Sequence, residues 1–375
     1  MRSMTAIAGL LGLCLTVQVV LAQDCSSTCD ESTGISRWSG LNPVYDYNIR
    51  CTGATVTTTV CGGYASSYYV VYGGPSRTAV GVPHAIQHDN GTVYLVFGYH
   101  YWGDNLDRIY MGTSTDGGQS FSTRMIIDNS QFCIYGSSGC EFWSPDLVIR
   151  DDGTWLLYVT GHQTSATQAT PRVFVARSNN GGSSFTFDWT GDNQDGNGVL
   201  YQPSLGTQTY RFGPVTSAPG GPFIYYSTGN TDNYLWKFTS NDGISWTRAS
   251  NLGYWGISFE GARYDNVSGH YIATLDPPVQ ISDDCSTPTW SYPLIVISSD
   301  GTSYSDLSVE NYFFGYLGQS AEATPLGDRK GIIQSTTPMF LYMNSQPSSQ
   351  YNQGGAWNYL FRVDWRRGTT QGYCN

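Results

Sequence analysis

Four copies of one turn constrain this chain more than any other feature. Ser114-Thr115-Asp116-Gly117-Gly118-Gln119-Ser120-Phe121 is followed by Ser178-Asn179-Asn180-Gly181-Gly182-Ser183-Ser184-Phe185. Two copies shorter by one residue follow, Ser240-Asn241-Asp242-Gly243-Ile244-Ser245-Trp246 and Ser298-Ser299-Asp300-Gly301-Thr302-Ser303-Tyr304. The starting serines are 64, 62 and 58 residues apart. In such a turn a short Asp or Asn side chain accepts nearby backbone N–H groups and glycine supplies positive φ. The terminal aromatic enters the core as the next strand begins. Each copy follows a β-branched or aromatic run, so each reads as a hairpin. A unit of this kind cannot bury both its faces alone and must stack on its neighbours.

Two further strands precede each hairpin. The first unit reads Val82 to Gln87 and Thr92 to Tyr99, the second Trp143 to Ile149 and Thr154 to Thr160. The third reads Pro214 to Ala218 and Phe223 to Ser227, the fourth Phe259 to Tyr264 and His270 to Leu275. A fifth unit lacks the turn and reads Ser320 to Pro325, a run within Gly331 to Tyr342, and Trp357 to Trp365. Four strands per unit make these the blades of an all-β, five-bladed β-propeller, with six blades as the alternative. The last blade is one strand short, and Tyr68 to Tyr72 is expected to supply it and close the ring.

Residues 1–22 read as a signal peptide: Arg2, an apolar run from Ile7 to Leu21, then Val20 and Ala22 before the cleavage point. Residues 23–66 read as a cysteine-rich N-terminal elaboration and residues 67–375 as the propeller. Once Cys14 leaves with the signal, eight of the nine cysteines remain. An even number in an exported chain argues for disulfides. Cys133 and Cys140 are expected to close a small loop, and the other pairings stay open. Asn90-Gly91-Thr92 and Asn266-Val267-Ser268 are glycosylation sequons for a secreted, extracellular protein.

The 29 acidic residues outnumber the 18 basic ones, giving a formal net charge of −11. That balance argues against nucleic acid and anionic membrane surfaces as partners. No stretch outside the signal is long and apolar enough to span a bilayer. No phosphate loop, nucleophilic triad or metal cluster is evident. No cofactor is expected beyond a structural channel cation such as calcium, and the protein is expected to be a monomer.

The recurring turns resemble the Asp-box repeat of sialidases and related propellers. A second resemblance is to five-bladed arabinanases and β-xylosidases of the glycoside hydrolase family 43 kind. Trp143-Ser144-Pro145-Asp146-Leu147 is similar to their blade-two motif, which carries a carboxylate that tunes the acid. Phe259-Glu260-Gly261-Ala262 is similar to their blade-four motif, which carries the general acid. Val82, in Gly81-Val82-Pro83-His84, stands where those enzymes place an Asp as general base.

Innermost strands start at one mouth of a propeller channel, so carboxylates near their starts converge. Glycoside hydrolysis needs two such groups, one donating a proton to the leaving oxygen and one activating water or attacking carbon. The resemblance implies Glu260 as general acid and Asp146 as its modulator; from their places on innermost strands, Asp146 is alternatively the base and Glu322 the reserve base. Glu141, in the loop entering blade two, is a further carboxylate that could face the mouth, and Asp107 stands in the part of blade one where the sialidase resemblance places an acid. His84 is a candidate to bond a sugar hydroxyl or to replace the lost base, and Arg263 to pair with a carboxylate or clamp an acidic sugar. Trp143, Tyr101, Trp102 and Trp255 are candidates to stack on sugar rings. The expected function is hydrolysis of a polysaccharide or glycoconjugate. The alternatives are a carbohydrate-binding, lectin-like propeller and a protein-binding one.

Overall fold

The computed structural model describes residues 68–73, 78–101, 106–133, 140–162, 172–187, 210–211, 215–229, 234–255, 258–276, 281–282, 288–290, 294–304, 323–338, 340–345 and 359–364. The signal peptide and the N-terminal elaboration lie outside the described residues, as do all cysteines except Cys133 and Cys140.

Strand β1 (Tyr68–Gly73) precedes the first repeat. Blade one is β2 (Thr78–Gln87), β3 (Val93–Tyr101), β4 (Leu106–Ser114) and β5 (Ser122–Ile127), antiparallel in that order. A one-turn helix, α1 (Asn129–Phe132), follows. Its capping box has the Asp128 carboxylate accepting from the backbone of Ser130 and Gln131 while the Gln131 side chain accepts from Asp128 N. Blade two is β6 (Glu141–Ile149), β7 (Trp155–His162), β8 (Arg172–Ser178) and β9 (Thr186–Phe187). The expected disulfide between Cys133 and Cys140 ties α1 to the start of β6.

In blade three, β10 (Tyr210–Arg211) and β11 (Val215–Ser217) pair successive parts of β12 (Phe223–Gly229), followed by β13 (Tyr234–Ser240) and β14 (Thr247–Trp255). Blade four has β15 (Ser258–Asp265) and β16 (His270–Asp276). The short pair β17 (Ile281–Ser282) and β18 (Pro288–Trp290) comes next, then β19 (Leu294–Ser298) on the outer side of β16. The final repeat begins with β20 (Ala323–Pro325). Two short strands, β21 (Gly327–Asp328) and β22 (Ile332–Ile333), intervene before β23 (Phe340–Ser345) and β24 (Tyr359–Asp364).

Innermost strands β2, β6, β11, β15 and β20 each neighbour the next, and β20 neighbours β2, so the five sheets form a closed ring. This is a β-propeller. The ring is closed as expected from sequence: β1 pairs antiparallel with β24, from Tyr68 opposite Val363 to Gly73 opposite Tyr359.

The four turns share one hydrogen-bond scheme. The serine hydroxyl donates to the Asp or Asn side chain and accepts a glycine N–H. Ser114 Oγ to Asp116 Oδ1 is 2.6 Å and Gly118 N to Ser114 Oγ is 2.8 Å. The matching distances are 2.8 and 3.0 Å at Ser178, 2.9 and 2.8 Å at Ser240, and 2.8 and 2.9 Å at Ser298. The closing aromatics Phe185, Trp246 and Tyr304 are buried between blades. Two tyrosines latch turns of the next blade: Tyr158 Oη donates to Gly243 O at 2.8 Å and Tyr226 Oη to Gly301 O at 2.9 Å.

One segment departs from the sequence expectation. The second strand of blade five, β23, begins only at Phe340, at the far end of the expected run. Ahead of it, β21 and β22 cross the end of the channel where the innermost strands finish. Strand β21 pairs parallel with β2 at Ile86, and β22 pairs parallel with β15 at Tyr264. Between them Arg329 O accepts from Ile149 N at 2.7 Å, and Gly331 O accepts from Thr216 Oγ1 at 2.7 Å. Arg329 also bridges Asp89 and Asp151, and Lys330 reaches Asp151. The segment springs from blade five and touches the other four. It forms a strap across one end of the channel. Gly331 is needed where it runs deepest: its φ is +76°, and a Cβ there would lie 2.9 Å from Val215 O.

Candidate functional site

Three innermost strands carry the same irregularity. In β2 the ladder with β3 runs from Gly81–Gly98 directly to His84–Val96. In β6 it runs from Trp143–Thr160 to Asp146–Tyr158, and in β15 from Phe259–Leu275 to Gly261–Thr274. Each shift inserts one extra residue on the inner strand. Val82 and Ser144, each just before a proline, stand at φ 46° and 48°, the two non-glycine residues with positive φ among those described. A β-branched residue is rarely found there, and such outliers gather where a site re-aims its side chains. Glu260 is itself the extra residue of β15.

Behind these bulges the innermost strands send polar side chains into the channel. His84, Asp146, Thr216 and Arg263 come from blades one to four, and all are fully buried. Arg263 spans the ring. Its Nη1 donates to Val215 O at 2.8 Å and Ala262 O at 3.0 Å, and its Nη2 donates to Ala85 O at 3.4 Å. Nη2 also lies 3.6 Å from Asp146 Oδ1, and His84 Nδ1 lies 3.3 Å from the same oxygen. Asp146 Oδ2 accepts from Val215 N at 2.7 Å and Oδ1 from Leu147 N at 2.7 Å. Burial pushes the Asp146 carboxyl up. The facing Arg263 and His84 and the Val215 N–H outweigh this and hold it below the usual carboxylate value. The ionised form of Asp146 is therefore favoured, and its side chain is held in place by these bonds.

The sequence candidates divide accordingly. His84, Asp146 and Arg263 are brought together in one buried network that joins blades one to four. Arg263, a candidate either to pair with a carboxylate or to clamp an acidic sugar, directs its guanidinium to backbone carbonyls and Asp146. Trp143 is half-buried one residue before the Ser144 bulge. For Glu260 the backbone is described, at the bulge of β15. Tyr101 ends β3 and Trp255 ends β14. Glu322 and Trp102 lie outside the described residues.

A second cluster sits on the mouth side of the bulges, where β3, β4 and β6 meet. His100 Nδ1 and Asp107 Oδ1 are 2.7 Å apart, and Asp107 Oδ2 accepts from Phe142 N at 3.2 Å. Burial pushes the Asp107 carboxyl up, and the nearby charge of Glu141 adds to that. The bonds from His100 and Phe142 act the other way without cancelling it. Sequence reasoning singled out Asp107 and Glu141 but missed His100. The signal was its position opposite Asp107 across a tight β3–β4 pairing. Among the described residues no group of three His, Cys, Asp or Glu is placed to hold a metal ion.

No family model matches the chain, and no curated protein matches it either. Solved structures do. A family 117 glycoside hydrolase of the marine bacterium Zobellia galactanivorans superposes with a TM-score of 0.53 at 11% identity, over 82% of this chain and 91% of that one. A GH62 hydrolase in complex with xylotriose gives 0.53 at 9% identity, over 80% and 98%. A thermostable family-43 glycoside hydrolase gives 0.52 at 11% identity, over 80% and 98%. At these identities the likeness is one of fold: the chain shares the propeller on which these glycosidases are built.

Proposed function

We propose that this protein is a secreted glycoside hydrolase that cleaves an extracellular glycan at the open mouth of the channel. The observation that carries the proposal is the bulge repeated on β2, β6 and β15. It inserts one extra residue near the start of three innermost strands, on a fold shared with several glycosidases. In this reading Glu260, the extra residue of β15, is the general acid that protonates the leaving oxygen. Asp146 acts as the buried carboxylate behind it. A carboxylate nearby disfavours ionisation of a second carboxyl to the extent that its own partners leave its charge uncompensated. Its burial suits this tuning role better than proton exchange with a bound sugar. Glu322 remains a proposed base, and Trp143, Tyr101, Trp102 and Trp255 the proposed stacking surfaces.

A lectin-like propeller without hydrolysis is the second reading. It is favoured by Val82, an apolar side chain where related glycosidases carry a carboxylate. The two readings separate in a hydrolysis screen of the disulfide-intact protein on arabinan, xylan, arabinogalactan, fructan and sialylated glycans, with Glu260→Gln alongside. Sugar release by wild type with loss of about 10²-fold or more in Glu260→Gln is expected. Tight glycan binding with no release by wild type would favour the lectin.

A further inference from the structure

We propose that Asn90 carries an N-linked glycan, which stands at the strapped end of the channel, away from the mouth. The proposal rests on the export half of the reading above. Three observations carry it. First, Asn90-Gly91-Thr92 forms the tip of the β2–β3 hairpin, and Asn90 is exposed. The turn is closed by His88 N donating to Thr92 O and Gly91 N donating to His88 O, each at 2.8 Å. Such a motif accepts a glycan where it lies in a surface loop of an exported chain.

Second, the turn uses the oxygen of the Asn90 amide and not its nitrogen. Oδ1 accepts from Thr92 N at 3.0 Å, an Asx turn spanning two residues. The same hairpin of blade two makes the same bond with an aspartate: Thr154 N donates to Asp152 Oδ1 at 3.0 Å. Among the described residues Asn90 Nδ2 has no hydrogen-bond partner. The second sequon differs. Asn266 Nδ2 donates to Gln334 Oε1 at 3.0 Å, its backbone N donates to Ile333 O at 2.9 Å, and Ser268 Oγ is buried. There the amide nitrogen already ties a hairpin to the strap, so the assignment is to Asn90.

Third, the place suits a bulky group. The tip lies where β2 finishes, and the neighbouring Asp89 holds Arg329 of the strap at 3.2 Å. The stretch of β2 from Val82 to Gln87, roughly 16 Å of strand, separates the tip from the bulge on the mouth side. A glycan at Asn90 therefore covers the strap and leaves the mouth open.

In the attachment step Nδ2 forms a bond to the anomeric carbon of an oligosaccharide carried on a lipid pyrophosphate. The bond from that carbon to the phosphate oxygen breaks, its electron pair leaves with the lipid pyrophosphate, and Nδ2 gives up one of its two protons. The Asx turn is local, so it forms in the growing chain before the blades stack.

The test expresses the full chain, with its own residues 1–22, in a yeast secretory host. Secreted protein is treated with peptide N-glycosidase in water enriched in heavy oxygen, and the mass of the tryptic fragment 78–108 is measured. The enzyme converts a glycosylated asparagine into an aspartate that carries the heavy oxygen. An Asn-Gly pair also loses its amide spontaneously, so protein kept in the same water without enzyme is the control. Label at Asn90 in most molecules, absent from the control, is expected. Thr92→Ala should abolish it and Thr92→Ser should keep it. Asn90→Asp, which keeps the turn as Asp152 does in blade two, should be secreted lighter by one glycan. Secreted wild type with an unlabelled fragment, or label that persists in Thr92→Ala, would overturn the glycan and leave export standing. A chain retained in the cells with residues 1–22 attached would overturn both.

Discussion

Replacing Arg263 by methionine removes a side chain that reaches across the channel to three other blades. The guanidinium is fully buried, donates to three backbone carbonyls and faces Asp146. Methionine is similar in length, so little cavity forms. The cost is the buried carboxylate left facing His84 alone, together with the abandoned carbonyls. Removing one partner of a buried ion pair costs roughly 3–5 kcal/mol. For a domain this large, at about 2 °C per kcal/mol, the melting temperature should fall by roughly 6–10 °C. Adding Asp146→Asn should recover part of that loss, with about 1–3 kcal/mol of coupling between the two changes. The same carboxylate sets a pH dependence. Its folded pKa lies below the unfolded value of about 3.9. Its stabilisation is therefore complete above that value and is lost as pH falls through the folded pKa. Asp146→Asn should flatten that acid limb in melting curves taken between pH 6 and the acid range. Arg263→Met melting within a degree of wild type, or strict additivity of the two substitutions, would refute the assignment of this network as the tie between blades.

Two further predictions concern the frame. Tyr226→Phe deletes the hydroxyl that latches Gly301 O and should cost about 1–2 kcal/mol in denaturant titrations, with the slope unchanged. A shift below about 0.3 kcal/mol would show the latch to be idle. Gly331→Ala should destabilise by about 1–3 kcal/mol, since its φ is +76° and its new methyl would press on Val215 O and the Thr216 backbone. A neutral result would mean that the strap can lift without disturbing the channel.

Much of the frame was legible because it is written in local chemistry. Four turns with the same Ser, Asp or Asn and Gly placement gave the hairpins, and the shortage of one strand after Trp365 pointed to Tyr68 to Tyr72, which β1 supplies. The strap was not legible. Ile332 and Ile333 look like any apolar strand start, and nothing local says that they pair parallel with a strand more than sixty residues earlier in the chain. The candidate site was half legible. Glu260 and Asp146 sit in recognisable short motifs, and the extra residue on each inner strand has a weak signature in Val82-Pro83 and Ser144-Pro145. That Arg263 reaches back into blades one to three, and that His100 meets Asp107, depends on the stacking of sheets, which pattern alone does not encode.

The pairing of β1 with β24 has a consequence for biosynthesis. Tyr68 meets Val363, 295 residues later in the chain. At about 5–20 residues per second, the first strand waits roughly 15–60 s after leaving the ribosome before its partner is made. Throughout that interval β1 is an unpaired β-segment ahead of an unfinished ring, and the ring carries an open edge of the kind that invites pairing with other chains. The closing contact is among the longest in sequence that the molecule makes, so it belongs to the slow, late part of folding. A chain truncated before Tyr359 would keep its other repeats and still never shut.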